Sequence, residues 1–199
     1  FYNDYLDISV DLMGYTKNNR ISIFANRLAP IQINFLGYAG TTGSSCMDYI
    51  LADINLVPNT NKKFYNEEVI YMPNSVQCID DTLKGISKTI TRKEIGIPEN
   101  SFVFCTFCKP IKIYSREFDI WSRLLRANKD SILWLVKYNE FAKNNLLKEA
   151  KYRGIKEDQL FFSDLVPIDQ HISRQSCADL FLDTFNFNSA VMTSLALTS

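Results

Sequence analysis

Glycines and a lysine follow two apolar segments of this sequence, at positions suited to binding an anionic ligand. Gly37, Gly40 and Gly43 lie directly after an alternating apolar run, and glycines let backbone N–H groups approach an oxygen-rich ligand closely. Lys112 follows a second apolar run, where its ammonium can face a phosphate. An ordinary turn and a solvated lysine remain the alternatives for these two features.

Two further candidates lie near the C-terminal end. His171 and Arg174 have the i, i+3 spacing that places two side chains on one helix face. There they could hold a planar base or a phosphate, or simply form an exposed surface. A helix predicted to begin near Ser189 would present free N–H groups and the positive end of its dipole to a phosphate.

The cysteines offer weaker chemistry. Cys105 and Cys108 form a C-x-x-C pair, which could be half of a zinc site or a redox pair. The sequence has no second such pair, however, and contains only 1 His. A Cys–His catalytic pair would need His171, which belongs to a different predicted βα unit. We therefore expect reduced thiols in a cytoplasmic protein and no metal site.

The elements that would position these residues are strands in the first half and alternating strands and helices in the second. Period-2 alternation and short apolar runs predict strands over 6–12, 31–35, 49–52 and 69–72, with a loop over 59–68. Strands are then predicted over 102–107, 132–136, 160–162 and 180–182, with helices over 115–125, 141–153 and 169–176, the last capped by Asp169. This order indicates an α/β fold with a parallel sheet, whose ligands bind at the carboxyl ends of the strands.

A turn cluster beginning at Gly96 separates the two halves. We expect residues 1–96 to be part of an N-terminal lobe and residues 97–199 the first part of a C-terminal lobe, with a nucleotide-type ligand between them. Because the chain starts with Phe1 and stops within a predicted helix, we expect a fragment truncated at both ends.

Composition excludes several classes of protein. Lys plus Arg and Asp plus Glu both number 22, so the formal net charge is zero, and 46% of residues are hydrophobic. A nucleic-acid arm or polybasic membrane binder needs a positive field, and a disordered chain has low hydrophobicity and high net charge. No apolar run approaches the ~20 residues that span a bilayer.

Several longer motifs go beyond these patterns. The most specific is the Pro-x-Gln…Leu-Gly-Tyr-x-Gly-Thr-x-Gly block over residues 30–43, supported by Tyr71-Met72-Pro73 and the Ala-Asp-Leu-Phe-Leu-Asp-Thr run at 178–184. Together these segments make the sequence similar to the catalytic core of the O-linked N-acetylglucosamine transferase family, including its bacterial and SPINDLY-like members, over nearly its whole length.

The resemblance implies a GT-B fold of two Rossmann-like lobes. It implies metal-independent transfer of N-acetylglucosamine from UDP-GlcNAc to Ser or Thr of proteins, with no cofactor and no nucleic-acid or membrane partner. Tetratricopeptide repeats would lie upstream in the full-length protein, and the isolated fragment would be inactive.

Carried over residue by residue, the resemblance also implies site roles. Lys112 would neutralise the donor's β-phosphate, and Asp4 would relay a proton near the acceptor hydroxyl. The donor-binding residues would be Leu36, Gly37 and Thr41 beside the sugar, together with His171 and Arg174 at the uridine.

Some positions depart from the family pattern. Lys109 replaces a usual Gln, and Val191, Met192 and Leu195 stand where Thr, Thr and Asp would hold phosphate and ribose. Two alternatives therefore stay open: a GDP-fucose-dependent protein O-fucosyltransferase of the same fold, or a non-catalytic remnant with a degraded donor site.

Overall fold

The computed structural model describes residues 5–80, 82 and 90–198. The chain forms two compact units, the first ending at Cys78 and the second beginning at Ile79. The boundary predicted from the sequence lies later in the chain, at Gly96. Residues just before Gly96 belong to the second unit because the Arg92 guanidinium bonds the Asp179 carboxylate at 2.8 Å and the Cys177 carbonyl at 3.0 Å.

The first unit is built on one parallel sheet of four strands in the order β1-β2-β3-β4. Its strands are β1 (Ile8–Asp11), β2 (Ile31–Asn34), β3 (Tyr49–Ala52) and β4 (Glu68–Tyr71). Connections between them contain 3-10 helices at Ile21–Asn26 and Asn59–Phe64. The second 3-10 helix lies within the predicted loop. A short polar segment has no apolar periodicity, so the sequence gives no signal for a 3-10 helix there.

The interior of the first unit is partly polar. Ile50, Ala52, Val57 and Val69 form its small apolar core. Gln32 is also fully buried, and its amide bonds main-chain groups of the connections, including the Phe24 carbonyl at 2.9 Å. Buried polar side chains are stable only when they are hydrogen-bonded in this way. These bonds hold the long connections against the sheet.

The second unit is a parallel sheet in the order β7-β6-β5-β8. Its strands are β5 (Phe102–Thr106), β6 (Ser131–Val136), β7 (Leu160–Ser163) and β8 (Leu180–Phe181). Its helices are α1 (Arg92–Ile95), α2 (Ser115–Ala127), α3 (Glu140–Tyr152), α4 (Ile168–Gln175) and α5 (Val191–Ala196). The prediction of an α/β fold with parallel sheets is confirmed.

Apolar residues cover both faces of this second sheet. Phe104, Leu133 and Leu135 pack in a cluster with α2 residues such as Trp121, while Trp134 belongs to a cluster on the opposite face. Every residue of β6 is buried, as expected for a central parallel strand with helices on both faces. A rigid sheet of this kind fixes the loops at its carboxyl edge.

The ends of α3 follow local capping chemistry, whereas the start of α4 differs from the prediction. The Asn139 side chain caps α3 by accepting from the Ala142 N–H at 2.7 Å, and Gly154 follows the helix with a φ of 72°. The prediction that Asp169 caps α4 is wrong. The helix begins at Ile168 after Pro167, so Asp169 lies in its first turn. A carboxylate there still complements the helix dipole. No helix among the described residues has the length and apolar character needed to cross a membrane.

Candidate functional site

Lys112 lies beyond the carboxyl end of β5, in a short 3-10 helix over Pro110–Lys112. Its Nζ donates to the Asn188 carbonyl oxygen at 3.0 Å and lies 4.2 Å from the centre of the Phe187 ring. Burial and the nearby Lys109 charge lower the pKa of Lys112. A lysine ammonium has three donors, so the bond to Asn188 leaves others for an anionic ligand.

The segment that presents Asn188 is fixed by two carboxylates. Asp183, just after β8, accepts from the Ser189 N–H at 2.8 Å and from the Thr193 hydroxyl at 3.1 Å. Glu117 of α2 is buried and accepts from the Phe185 N–H at 3.0 Å, the bond that chiefly lowers the pKa of this carboxyl. The carbonyl that Lys112 contacts is therefore held from both ends of its segment.

His171 and Arg174 lie on one face of α4, as the spacing predicted, but both are buried rather than exposed. The Arg174 Nε and Nη2 atoms lie 3.3 and 3.2 Å from the His171 Nδ1, and Arg174 Nη1 donates to the Asp164 carbonyl at 2.8 Å. Burial, with a contribution from the Arg174 charge, lowers the pKa of His171 to about 4. The imidazole is thus neutral at pH 7 and accepts at Nδ1.

Phe107 joins these residues to the lysine segment. Its ring packs edge-on against His171 at 4.7 Å between centroids and lies 5.8 Å from the Arg174 guanidinium. Phe107 directly precedes the turn that leads to Lys112. The structure therefore brings Lys112, His171 and Arg174 to the same edge of the second sheet.

Some buried polar atoms of α4 and of the segment before α5 lack a hydrogen-bond partner. Among the described residues they include the His171 Nε2, both amide atoms of Gln175 and the Ser189 hydroxyl. His171 and Gln175 are four residues apart, on the same face of α4. Unpaired groups of this kind are costly in a folded protein, and a bound water, ion or ligand can supply the missing partner.

The last helix differs from the expected phosphate site. It begins at Val191 after Ala190, close to the predicted start near Ser189, but it has no side-chain cap. Leu195 is buried, and the Thr193 hydroxyl is bonded to Asp183. The side chains of Val191 and Met192, in the first turn of α5, donate no strong hydrogen bond.

In the first unit, Leu36, Gly37 and Thr41 belong to one connection, residues 36–43, which we name the glycine-rich loop. Leu36 adopts a φ of 65°, an uncommon conformation for a branched side chain. A Cβ atom on Gly37 would overlap the Leu12 carbonyl oxygen, so only glycine fits there. The loop therefore passes directly over the end of β1.

Thr41 is half-buried and is held in place by Glu67. Its hydroxyl donates to the Glu67 Oε2 at 2.7 Å, and the Thr42 N–H donates to Oε1 at 2.7 Å. Burial disfavours the charged form of Glu67, but the bonds from these threonines lower the pKa of its carboxyl. Glu67 is not recognisable as a site residue from the sequence, since a Glu beside a strand normally indicates only a solvent-exposed edge.

The turn that follows β1 lies beside the same loop. Asp11 accepts from the N–H groups of Met13 and Gly14, both at 3.0 Å, and the Tyr15 hydroxyl donates to the Thr42 carbonyl at 2.7 Å. Asp4, the expected proton relay, lies outside the described residues.

The cysteines are all free. Burial raises the pKa of Cys105 to about 12 and also raises the pKa of Cys108 and Cys177. The Cys108 thiol accepts from the Thr106 hydroxyl at 3.4 Å. In the part of the chain that the structure describes, no three His, Cys, Asp or Glu residues are grouped to hold a metal.

Comparison with known proteins identifies the family of this chain. The model of Glycosyl transferase family 41 matches residues 1–87 and 79–196. The chain belongs to this family. Its relatives include a probable UDP-N-acetylglucosamine–peptide N-acetylglucosaminyltransferase, SEC, of Arabidopsis thaliana, 32% identical over 91% of this chain and 19% of the relative. SPINDLY of Solanum lycopersicum, given the same probable activity, is 30% identical over 98% of this chain and 21% of its own length.

Solved structures support the fold of this family 41 chain. A mutant O-GlcNAc transferase of Thermobaculum terrenum superimposes with a TM-score of 0.84 at 24% identity, covering 96% of this chain and 36% of that structure. The predicted GT-B type of α/β architecture is thereby confirmed for the part that is covered. The chain spans about a fifth of the length of the curated relatives named above.

Proposed function

We propose that the full-length protein containing this sequence transfers N-acetylglucosamine from UDP-GlcNAc to Ser or Thr hydroxyls of proteins, without a metal. The observation that carries the proposal is the family match over almost every residue, with relatives named for this activity. Their naming for UDP-GlcNAc favours this donor over GDP-fucose.

Lys112 is the residue we assign to the leaving group. The acceptor oxygen forms a bond to the anomeric carbon of the sugar, and the bond from that carbon to the diphosphate breaks with its electron pair leaving on UDP. An ammonium at the β-phosphate stabilises the charge that develops there. The position of Lys112 beyond β5, with only part of its donor capacity used by Asn188, supports this role.

His171 and Arg174 are assigned to the nucleoside. Arg174 donates to the Nδ1 of His171 and thereby leaves the Nε2 atom of the neutral ring with the proton. That buried Nε2 has no partner among the described residues, so it can donate to a carbonyl oxygen of a pyrimidine.

Leu36, Gly37 and Thr41 are assigned to the sugar through the glycine-rich loop, and Asp4 to the acceptor. Asp4 would take the proton that the acceptor hydroxyl loses. Support for the loop comes from the exposure of Leu36.

The experiment compares donors with the full-length protein. It is incubated with a Ser- and Thr-containing acceptor protein, EDTA and either UDP-GlcNAc or GDP-fucose, and the mass added to the acceptor is measured. We expect the mass of N-acetylhexosamine and stronger inhibition by UDP than by GDP. Fucose addition would favour the other donor, and a folded protein that binds no nucleotide in calorimetry would indicate a non-catalytic remnant.

We further propose that this protein acts in the cytoplasm and carries tetratricopeptide repeats before the catalytic core. The family resemblance supports both points. Fractionation of cells and deletion of the repeats, followed by the same transfer assay on intact acceptor proteins, would test them.

A further inference from the structure

A buried carboxylate accepts several hydrogen bonds from the end of the glycine-rich loop. Glu67 lies directly before β4, and only 3% of its surface is exposed. Its Oε2 accepts from the Thr41 hydroxyl, and its Oε1 accepts from both the N–H and the hydroxyl of Thr42. These donors come from two successive residues of another connection, so one side chain fixes the path of that backbone.

The Thr41 hydroxyl has no hydrogen-bonding capacity left. A hydroxyl offers one proton and two lone pairs. Its proton goes to Glu67, and it accepts from the N–H groups of Gly43 at 3.0 Å and Asn66 at 3.2 Å. A ligand that used this hydroxyl would have to break one of these bonds.

Two tyrosines add further ties to the same segment. The Tyr65 hydroxyl donates to the Ala39 carbonyl at 2.8 Å, and the Tyr15 hydroxyl donates to the Thr42 carbonyl at 2.7 Å. The loop is thus bonded from the end of β1 and from the start of β4, which fixes the backbone on both sides of Gly40.

We propose that Glu67 is a positioning residue for the donor sugar, which acts by holding the glycine-rich loop in its binding conformation through Thr41 and Thr42. Thr41 then serves the sugar through the loop backbone and not through its hydroxyl. This inference rests on the proposed function, because the loop is assigned to the sugar there.

The test is a pair of variants of the full-length protein, Glu67→Gln and Glu68→Gln. Glutamine keeps the size of the side chain but puts an N–H donor where an acceptor is required, opposite either threonine. Glu68 is the exposed neighbouring carboxylate and serves as the matched control. We expect Glu67→Gln to lower kcat/KM for UDP-GlcNAc about tenfold or more, mainly through KM, with the Kd of UDP unchanged. Glu68→Gln should behave as the wild type.

The unchanged Kd of UDP shows that the second unit is intact, and an unchanged thermal unfolding midpoint of Glu67→Gln separates positioning from destabilisation of the first unit. If Glu67→Gln does not fold, Thr42→Val and Thr42→Ser give the same comparison. The valine variant should have a raised KM for UDP-GlcNAc, and the serine variant, which keeps the hydroxyl, should have the KM of the wild type. If the wild type is active and the two variants of a pair have the same KM for UDP-GlcNAc, this inference is wrong while the proposed function stands. Failure of the wild type to bind or use UDP-GlcNAc would overturn the proposed function, and this inference with it.

Discussion

The Nζ atom of Lys112 donates a hydrogen bond to the main-chain oxygen of Asn188 at 3.0 Å. This bond joins the turn after β5 to the segment after β8, which are neighbouring strands of the parallel sheet. The lysine is therefore already aimed at the sheet edge by the fold, and needs no ligand to reach it. Replacing this lysine should therefore affect transfer more than folding.

Lys112→Ala in the full-length protein should abolish measurable transfer while leaving the thermal unfolding midpoint within a few degrees of the wild type. The variant loses the charge at the leaving group, and removal of one such group typically costs about 100-fold or more in kcat. Lys109→Ala, an exposed neighbour, is the control for a general loss of positive charge. Unchanged turnover in Lys112→Ala would refute the assigned role.

Asp183→Ala should destabilise the second unit by about 1–3 kcal/mol, because it leaves the Ser189 N–H and the Thr193 hydroxyl without their acceptor. Chemical denaturation measures the change. Asp169→Ala is the matched control: its side chain is exposed and does not cap α4, so its effect should stay within about 0.5 kcal/mol. A comparable loss in both variants would contradict the role given to Asp183.

Acid should destabilise the protein through His171. The pKa of this buried imidazole is about 4, compared with 6.5 for an ordinary one. Its contribution to stability is complete above pH 6.5 and is lost as pH falls towards 4, because the unfolded chain takes up the proton first. The unfolding midpoint of the wild type should therefore fall more steeply across this window than that of His171→Gln. Parallel pH profiles would count against a neutral, buried imidazole.

Gly37→Ala should destabilise the first unit more than Gly43→Ala. The added methyl group at position 37 would overlap a backbone oxygen, whereas position 43 has open space and only a φ of 63° to oppose the change. The conformational cost at position 43 is about 1 kcal/mol. Thermal unfolding of both variants measures the difference, and an equal effect would show that the loop can move away from β1.

The sequence predicted the regular elements well where periodicity was strong. Strand β6 and helix α3 lie within a residue of their expected bounds. A short continuous apolar run favours a buried strand, and an amphipathic pattern with a cap favours a helix. The start of α4 was wrong by one or two residues, since Asp169 suits both a cap and a first turn.

The site was less predictable for a physical reason. Spacing placed His171 and Arg174 on one face, but their burial against Phe107 depends on a strand more than sixty residues earlier. Glu67 and Thr41 are likewise 26 residues apart. No local pattern marks a bond of that kind, because the partners meet only after the sheet has formed.

The burial of the cysteines also has a practical consequence for labelling. Cys105, Cys108 and Cys177 are buried, and burial raises the pKa of each thiol, so few thiolates are available to react at neutral pH. Cys78 is exposed and is the last residue of the first unit. Cys46 is half-buried, so within this part of the protein a limiting amount of a maleimide dye should react first at Cys78, which supplies a native attachment point for a fluorescent reporter.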